Sequence, residues 1–246
     1  MQKELNRAHA MQRDLLPSDE KVRMLERAFQ IRLTSHYEPS TELGGDIWGV
    51  HLISHSKVMF YLVDFSGHGI AAAMNTFRLH SKIDSEPIGE ATPREYLEHL
   101  NQWLCTQLQT GQYATVALGV MDFEKSRFDY SAAGSTAPIR IDHKHKKIEV
   151  GSGKGIPLGM SPKAKYEDRS MEFNVGDGLF MYSDALIEHG RKEGLALGRD
   201  GVENLVLKAL SEQDEIEMGE LMEPFISKAP RPLSDDLTAF CCVWQG

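Results

Sequence analysis

Residues 46–69, DIWGVHLISHSKVMFYLVDFSGHG, carry the pattern that decides the fold. Two runs rich in branched and aromatic residues, DIWGVHLIS and KVMFYLVDF, flank a short polar turn, as in a hairpin of buried strands. The second run ends at Asp64 and enters Gly67-His68-Gly69, a sharp exit into GIAAAMNTFRLHSKI, whose small residues suit a helix lying close on a sheet. Asp46 begins the first run and Asp64 ends the second, so antiparallel pairing sets both carboxylates at one sheet edge. Gly44-Gly45, just ahead, gives the backbone room to approach that edge. Taken alone, either glycine cluster is equally well an ordinary turn.

Working outward, AFQIRLTSHY from Ala28 precedes this hairpin as a further strand, and TPREYLEHLNQWLCTQLQ follows as a helix. That helix opens with Thr92, Pro93 and Glu95, which together predict a capping box. YATVALGVMD, RFDYSAAG, APIRID and KKIEVGS then read as strands joined by short turns. KGIPLGM reads as a loop, a strand ends at Phe173, and GDGLFMYSD is a turn feeding a buried strand. GVENLVLKALS and EIEMGELMEPFISKA are amphipathic helices, and DDLTAFCCVW is a last strand. Strands in two groups, with helices between and after them, predict an α/β fold: packed antiparallel sheets carrying helices outside.

The first 16 residues, MQKELNRAHAMQRDLL, place Leu5, Ala8, Met11, Leu15 and Leu16 at helical spacing, and Pro17 ends the helix. Two readings stay open: a helix packed on its own domain, or a coiled-coil-like seam that joins two copies as a homodimer. A helix that begins without an N-cap signal also fits a chain preceded by a receiver or sensor domain. The expected organisation is a linker helix over residues 1–17 and one domain over residues 18–246.

Bulk composition narrows the function classes. With 246 residues and 41% hydrophobic content the chain can bury a large core. A net charge of −9, with no cluster of Lys and Arg, argues against nucleic acid as partner. His143-Lys144-His145-Lys146-Lys147 reads as a solvated hairpin tip. Three cysteines, two of them neighbours in the last strand and therefore on opposite faces, make no disulfide framework. No zinc-type spacing, apolar run of membrane length or signal-peptide pattern is present, so a soluble, cytoplasmic protein is expected.

Asp46 and Asp64 have counterparts at two more strand ends, Asp184 in FMYSDAL and Asp235 in LSDDLTAF. Carboxylates gathered in a small space repel one another unless a hard cation neutralises them, and Mg2+ or Mn2+ takes oxygen ligands of this kind.

At this point the residues become recognisable. ELGGDIWG resembles the GGD motif, VDFSGHGIAAAM the D-x-x-G-H-G-x-x-A-A motif, YSDALIE the Y-T-D-G-x-x-E motif and SDDLT the terminal D-D-x-T of the metal-dependent protein phosphatases. The bacterial branch typified by SpoIIE and RsbU is the one it resembles, and AMQRDLLPS is similar to the A-x-x-x-Q-x-x-L-L-P segment leading into those domains. The resemblance runs in order from about residue 8 to residue 244. It implies an αββα sandwich of two mainly antiparallel sheets flanked by helices, acting as a serine/threonine phosphoprotein phosphatase with two Mn2+ or Mg2+ ions. Carried over, Asp46 would bridge the ions, Asp64 and the backbone carbonyl of Phe65 would hold one, and Asp184 with Asp235 the other. Asp236 would be an outer neighbour. A phosphorylated anti-sigma factor antagonist is the substrate the resemblance implies.

The chain departs from the family pattern at three places. Ala185 stands where the family has Gly, which restricts the turn if a positive φ is needed there. Ser135 replaces a histidine in Ala133-Gly134-Ser135-Thr136-Ala137-Pro138, which weakens activity if that histidine serves phosphate binding or protonation of the leaving group. Phe65 replaces a smaller residue, though only its carbonyl would be used. His68 is a candidate general acid or a backbone-bonded turn residue. Ser66 and Ser183 are candidates to orient the neighbouring aspartates, and Arg78 and Arg140 to bind phosphate. The competing readings are an adaptor, the output domain of a response regulator that binds a sigma factor or its antagonist without turnover, and a two-metal hydrolase of another phosphoester. Movement of the helix before Pro17 is expected to shift the loop bearing Asp46.

Overall fold

The computed structural model describes residues 2–67, 69–188, 196–213, 216–229 and 231–246. Helix α1 (Gln2–Arg13) and helix α2 (Asp19–Phe29) precede the hairpin system of β1 (Ile31–Glu38), β2 (Asp46–Ser54) and β3 (Lys57–Phe65). Helices α3 (Ile70–Ser85) and α4 (Pro93–Gln107) follow, then β4 (Ala114–Asp122), β5 (Arg127–Ala133), β6 (Ile139–Asp142), β7 (Lys147–Val150), β8 (Arg169–Glu172) and β9 (Asp177–Tyr182). Helices α5 (Ala185–Glu188), α6 (Gly198–Glu212) and α7 (Met218–Ile226) lead to β10 (Leu237–Trp244).

The strands form two antiparallel five-stranded sheets, ordered β1-β10-β9-β6-β7 and β2-β3-β4-β5-β8. Three apolar layers separate the four structural ones. Trp48, Phe60, Phe128, Phe180's neighbour Leu179 and Phe240 fill the space between the sheets, with Trp48 and Phe240 stacked at 5.0 Å. Tyr61, Val63, Leu79 and Leu100 join the second sheet to α3 and α4, while Phe180, Val206, Leu221 and Cys241 join the first sheet to α6 and α7. Alternation along each strand produces this layering, since successive side chains face opposite sides. Cys241 and Cys242 illustrate it, one in the outer layer and one between the sheets. The αββα sandwich expected from the resemblance is the observed architecture.

The capping box at Thr92 and Glu95 forms as its residues predict, with each side chain accepting from the other's backbone amide. The residue pattern leaves 19–27 without an element and starts a strand at Ala28, yet the strand begins only at Ile31 and residues 19–29 form α2, capped by Ser18. Its Leu25 and Phe29 insert between the sheets, so this short helix is held by tertiary packing. The basic hairpin tip is also corrected in part. His143 is buried at 8% exposure because its Nδ1 bonds the Gly176 carbonyl oxygen and Nε2 accepts from the Ile216 amide.

Candidate active site and metal centre

Strand register assembles the site. Asp46 at the start of β2 stands directly opposite Asp64 at the end of β3, and Asp64 stands opposite Thr115 of β4. Asp184, between β9 and α5, and Asp235, just before β10, arrive at the same end from the other sheet. Their charges reach across the gap: Asp184 and Asp235 both act on Asp64.

The site is strongly and uniformly acidic. Asp46 is 1% exposed, and burial, then the negative charges of Asp64 and Asp236, hold its carboxyl well above the usual range. Asp64 is raised by burial first and by Asp184, Asp235 and Asp236 after it. Asp184 is pushed up to about 6 by burial and by the charges of Asp235, Glu188 and Asp236. The hydroxyls of Thr238 and Ser183 favour the Asp46 anion by proximity, but neither is aligned to bond Oδ2, which has no hydrogen-bond partner. Among the described residues no cation pairs with Asp46, Asp64, Asp184 or Asp236. A fold that buries carboxylates without compensation disfavours their ionised form unless a ligand supplies the charge.

Those donors fit a hard divalent cation: they are anionic oxygens, one of them orphaned and buried. The cage is not preformed, because among the described residues no three acidic, His or Cys side chains are grouped tightly enough to enclose an ion. Mutual repulsion of unshielded carboxylates accounts for that spacing.

Asp236 has a different task from its neighbours. Its Oδ1 accepts from the Ser40 amide at 2.6 Å and the Ser40 hydroxyl at 2.9 Å, and its Oδ2 accepts from the Gly45 amide at 2.5 Å. It therefore fastens the loop that delivers Asp46. Glycine is required on that loop by contact: a Cβ on Gly44 would stand 2.6 Å from Asp236 Oδ2, and one on Gly45 would stand 2.8 Å from the Phe65 carbonyl oxygen. The carbonyl named as a ligand thus lies against the Asp46 loop. From the linker, Gln12 grips the same loop, donating from Nε2 to the Gly44 carbonyl at 2.6 Å and accepting from the Gly44 amide at 3.0 Å. Gln12 is 4% exposed, although it sits in a helix whose Met11 is 57% exposed.

The other candidates divide. Ser183 is in the site, donating from Oγ to the Asp236 carbonyl and accepting from the Thr238 amide, which ties β9 to β10 beside Asp46. Ser66 is not placed to orient Asp64: its Oγ accepts from the Tyr113 amide at 3.0 Å, fixing the chain entering β4. Ser135 lines a cavity of about 190 Å³ together with Asp64, Thr115, Asp184 and Glu188. Ala185 opens α5 and has no positive φ, so its methyl fits, buried against the α6–α7 layer. His68 lies outside the described residues; Gly67 and Gly69 beside it take φ of 88° and 79°, as a sharp strand-to-helix exit demands. Neither proposed arginine reaches the cavity. Arg140 is tied to Asp177 and Glu149, and Arg78 donates to Asn75 and the Gln107 carbonyl. Among the described residues the cation lining the cavity is Arg199, at the start of α6, which no motif marks.

Known proteins share this fold. Residues 54–245 match the model of the Stage II sporulation protein E (SpoIIE) family. The chain is 24% identical over 163 residues to the phosphoserine phosphatase RsbP of Bacillus subtilis, covering 65% of this chain and 40% of that one. It is 21% identical over 201 residues to the phosphoserine phosphatase RsbU of the same organism, covering 81% and 59%. The chain therefore spans about half the length of these curated relatives. The SiaA PP2C domain of Pseudomonas aeruginosa superposes with a TM-score of 0.80 at 20% identity, over 97% of this chain and 95% of that one. The phosphatase domain of Bacillus subtilis SpoIIE superposes at 0.71 and 17% identity, over 87% and 63%. With four acidic positions at one end of an αββα sandwich and a family match across most of its length, the chain belongs to the SpoIIE family of metal-dependent protein phosphatase domains.

Proposed function

We propose that this domain removes phosphate from a serine or threonine side chain of a regulatory protein, using two Mn2+ or Mg2+ ions. The observation that carries this reading is that Asp46, Asp64 and Asp184, mutually repelling and raised by burial at the meeting edge of the two sheets, have no cationic partner among the described residues. Asp46 would bridge the ions, Asp64 and the Phe65 carbonyl would hold one, and Asp184 with Asp235 the other. Bound there, such ions supply a water ionised at neutral pH and offset charge on the phosphoryl group. The chain's own residues position everything else. Asp236 and Gln12 fix the loop bearing Asp46, Ser183 locks β9 to β10, and Ser135 lines the cavity where a phosphoryl group would lie. Cys241 and Cys242 are buried thiols pushed up by burial, Cys241 to about 12, which leaves them no nucleophilic role.

The substrate we infer is a phosphorylated anti-sigma factor antagonist, the class that the motif resemblance implies; two relatives are named phosphoserine phosphatases. The cytoplasm is the proposed location: the cysteines are free, and among the described residues no helix is long and apolar enough to cross a membrane. Helix α1, with exposed Met11 and half-buried Leu5 and Ala8, is proposed to join a second copy and to relay the state of an upstream receiver or sensor domain through Gln12. Measuring solution mass with and without residues 1–16 tests this; an unchanged monomer removes the pairing.

The activity test is Mn2+-dependent phosphate release from a phosphoserine protein and from p-nitrophenyl phosphate, compared with Asp46→Asn and Asp184→Asn. Loss in both variants is expected. Equal rates in all three proteins would sink the metal-hydrolase reading, and binding of a sigma factor or its antagonist without turnover would favour the adaptor.

A further inference from the structure

The cavity holding Asp64 and Asp184 does not end at the carboxylates. Gly134, Ser135, Tyr182 and Arg199 line it and also line a second cavity of about 280 Å³, to which Lys154 contributes. The two therefore adjoin, and Arg199 stands at the seam. Lys154 is carried by a rigid platform. A Cβ on Gly153 would stand 1.9 Å from the Ser135 carbonyl oxygen, and one on Gly155 would stand 2.2 Å from the Ala132 carbonyl oxygen, so the loop lies pressed on the end of β5. The Lys154 amide donates to Ser152 Oγ at 3.3 Å, and Arg169 donates to the Lys154 carbonyl at 3.4 Å.

Among the described residues, neither the Arg199 guanidinium nor the Lys154 ammonium has a hydrogen-bond or ion-pair partner. Arg94, Arg127, Arg140 and Arg169, by contrast, are each tied to carboxylates. Glu203, one helical turn beyond Arg199, is the acidic side chain in this second cavity and pairs with neither cation. Two cations to one acid make the described lining of the second cavity net positive in a chain whose net charge is −9.

We propose that Arg199 and Lys154 form an anion-reading subsite beside the phosphoryl site, selecting phosphoserine segments that carry an acidic side chain close to the phosphorylated residue. The proposal rests on the phosphatase reading above. With the phosphoryl group at the carboxylate end, an extended chain advances about 3.3–3.6 Å per residue, so the adjoining cavity receives a side chain one to three positions away. Arginine offers a planar fork to a carboxylate and lysine a point charge, and both discriminate against a neutral side chain at that place. Positive charge lining a cleft also raises the encounter rate with an acidic segment.

The test uses the Mn2+-loaded protein with phosphoserine peptides carrying two aspartates before, or two after, the phosphoserine, their alanine counterparts, and p-nitrophenyl phosphate. Wild type is expected to favour one acidic peptide by about 10-fold or more in kcat/KM. In Arg199→Ala and Lys154→Ala that ratio falls toward one through KM, and in Arg199→Glu it inverts. Melting curves matching wild type separate this from misfolding, and Arg199→Lys restores part of the preference. A wild-type ratio of one, or a ratio kept in the variants, overturns the subsite. An equal loss on all peptides and on p-nitrophenyl phosphate in Arg199→Ala would place Arg199 on the phosphoryl group itself and also overturn it. Absence of turnover on every phosphate in wild type would refute the phosphatase reading and the subsite with it.

Discussion

The two ends of the β2–β3–β4 ladder bury aspartate in opposite ways. At the end of β4, Asp122 is 3% exposed, yet Lys57 and Lys125 both approach it at 3.8 Å and the Lys125 amide donates to it at 3.0 Å. At the other end Asp46 is as deeply buried, meets the negative charges of Asp64 and Asp236, and keeps an unpartnered oxygen, while Asp184 and Asp235 act on Asp64. A cavity exists at each end, but the far one, about 300 Å³, is lined by cations already engaged: Lys57 with Asp122, Arg127 with Asp129. Cavity size therefore does not mark the active end. The uncompensated charge does, because a fold that pairs its own buried aspartate with lysines at one end and, among the described residues, gives Asp46, Asp64 and Asp184 no cation at the other has left that work to a ligand.

This contrast breaks first under substitution of the aspartates. Asp46→Asn is expected to lower Mn2+-dependent turnover by at least about 100-fold, since the bridging position serves both ions. The same change should leave the metal-free protein as stable or more so, because it removes a charge burial disfavours. Asp122→Asn should do the reverse, keeping turnover and costing roughly 1–3 kcal/mol in denaturant unfolding, because it removes the charge that Lys57 and Lys125 meet and sets an NH2 group in place of their acceptor oxygen. If the two variants behave alike in both assays, the distinction between the ends fails.

A smaller effect is expected from pH. Asp184 is raised from 3.8 to about 6 in the folded protein, so its contribution to stability is fully present below pH 3.8 and is lost as pH rises through about 6. The metal-free protein should therefore lose roughly 1–3 kcal/mol between pH 4 and pH 7 from this group, and Asp184→Asn should flatten that part of the profile. Smaller again is Gln12→Ala, which removes two bonds to Gly44. It should cost about 1–2 kcal/mol and weaken turnover while leaving the far end unchanged.

The hairpin, the register of Asp46 against Asp64 and the capping box at Thr92 were legible because each depends on residues close in sequence. The strand-end pattern singled out Asp184 and Asp235 as well, but local spacing could not place them against the hairpin, and only the resemblance did. Helix α2 was not legible: its reason for being a helix lies in Leu25 and Phe29 filling the inter-sheet space. Asp236 and Gln12 are a similar case. Both lie in stretches that the resemblance marks, SDDLT and AMQRDLLPS, but their tasks come from backbone groups of Ser40, Gly44 and Gly45 that only folding brings near. Arg199 carried no signal in the sequence beyond its charge, whereas Arg78 and Arg140 carried the same charge and were claimed by other partners. Ser66 sat beside an aspartate in sequence but bonds away from it.

The central claim is that divalent cations complete the Asp46 end of the sandwich. The direct measurement is calorimetric titration of Mn2+ into the wild-type chain, Asp46→Asn and Asp122→Asn at pH 7. The account predicts saturable binding by wild type and Asp122→Asn, and binding lost or weakened by about 10-fold or more in Asp46→Asn. Equal Mn2+ binding by all three proteins would contradict it.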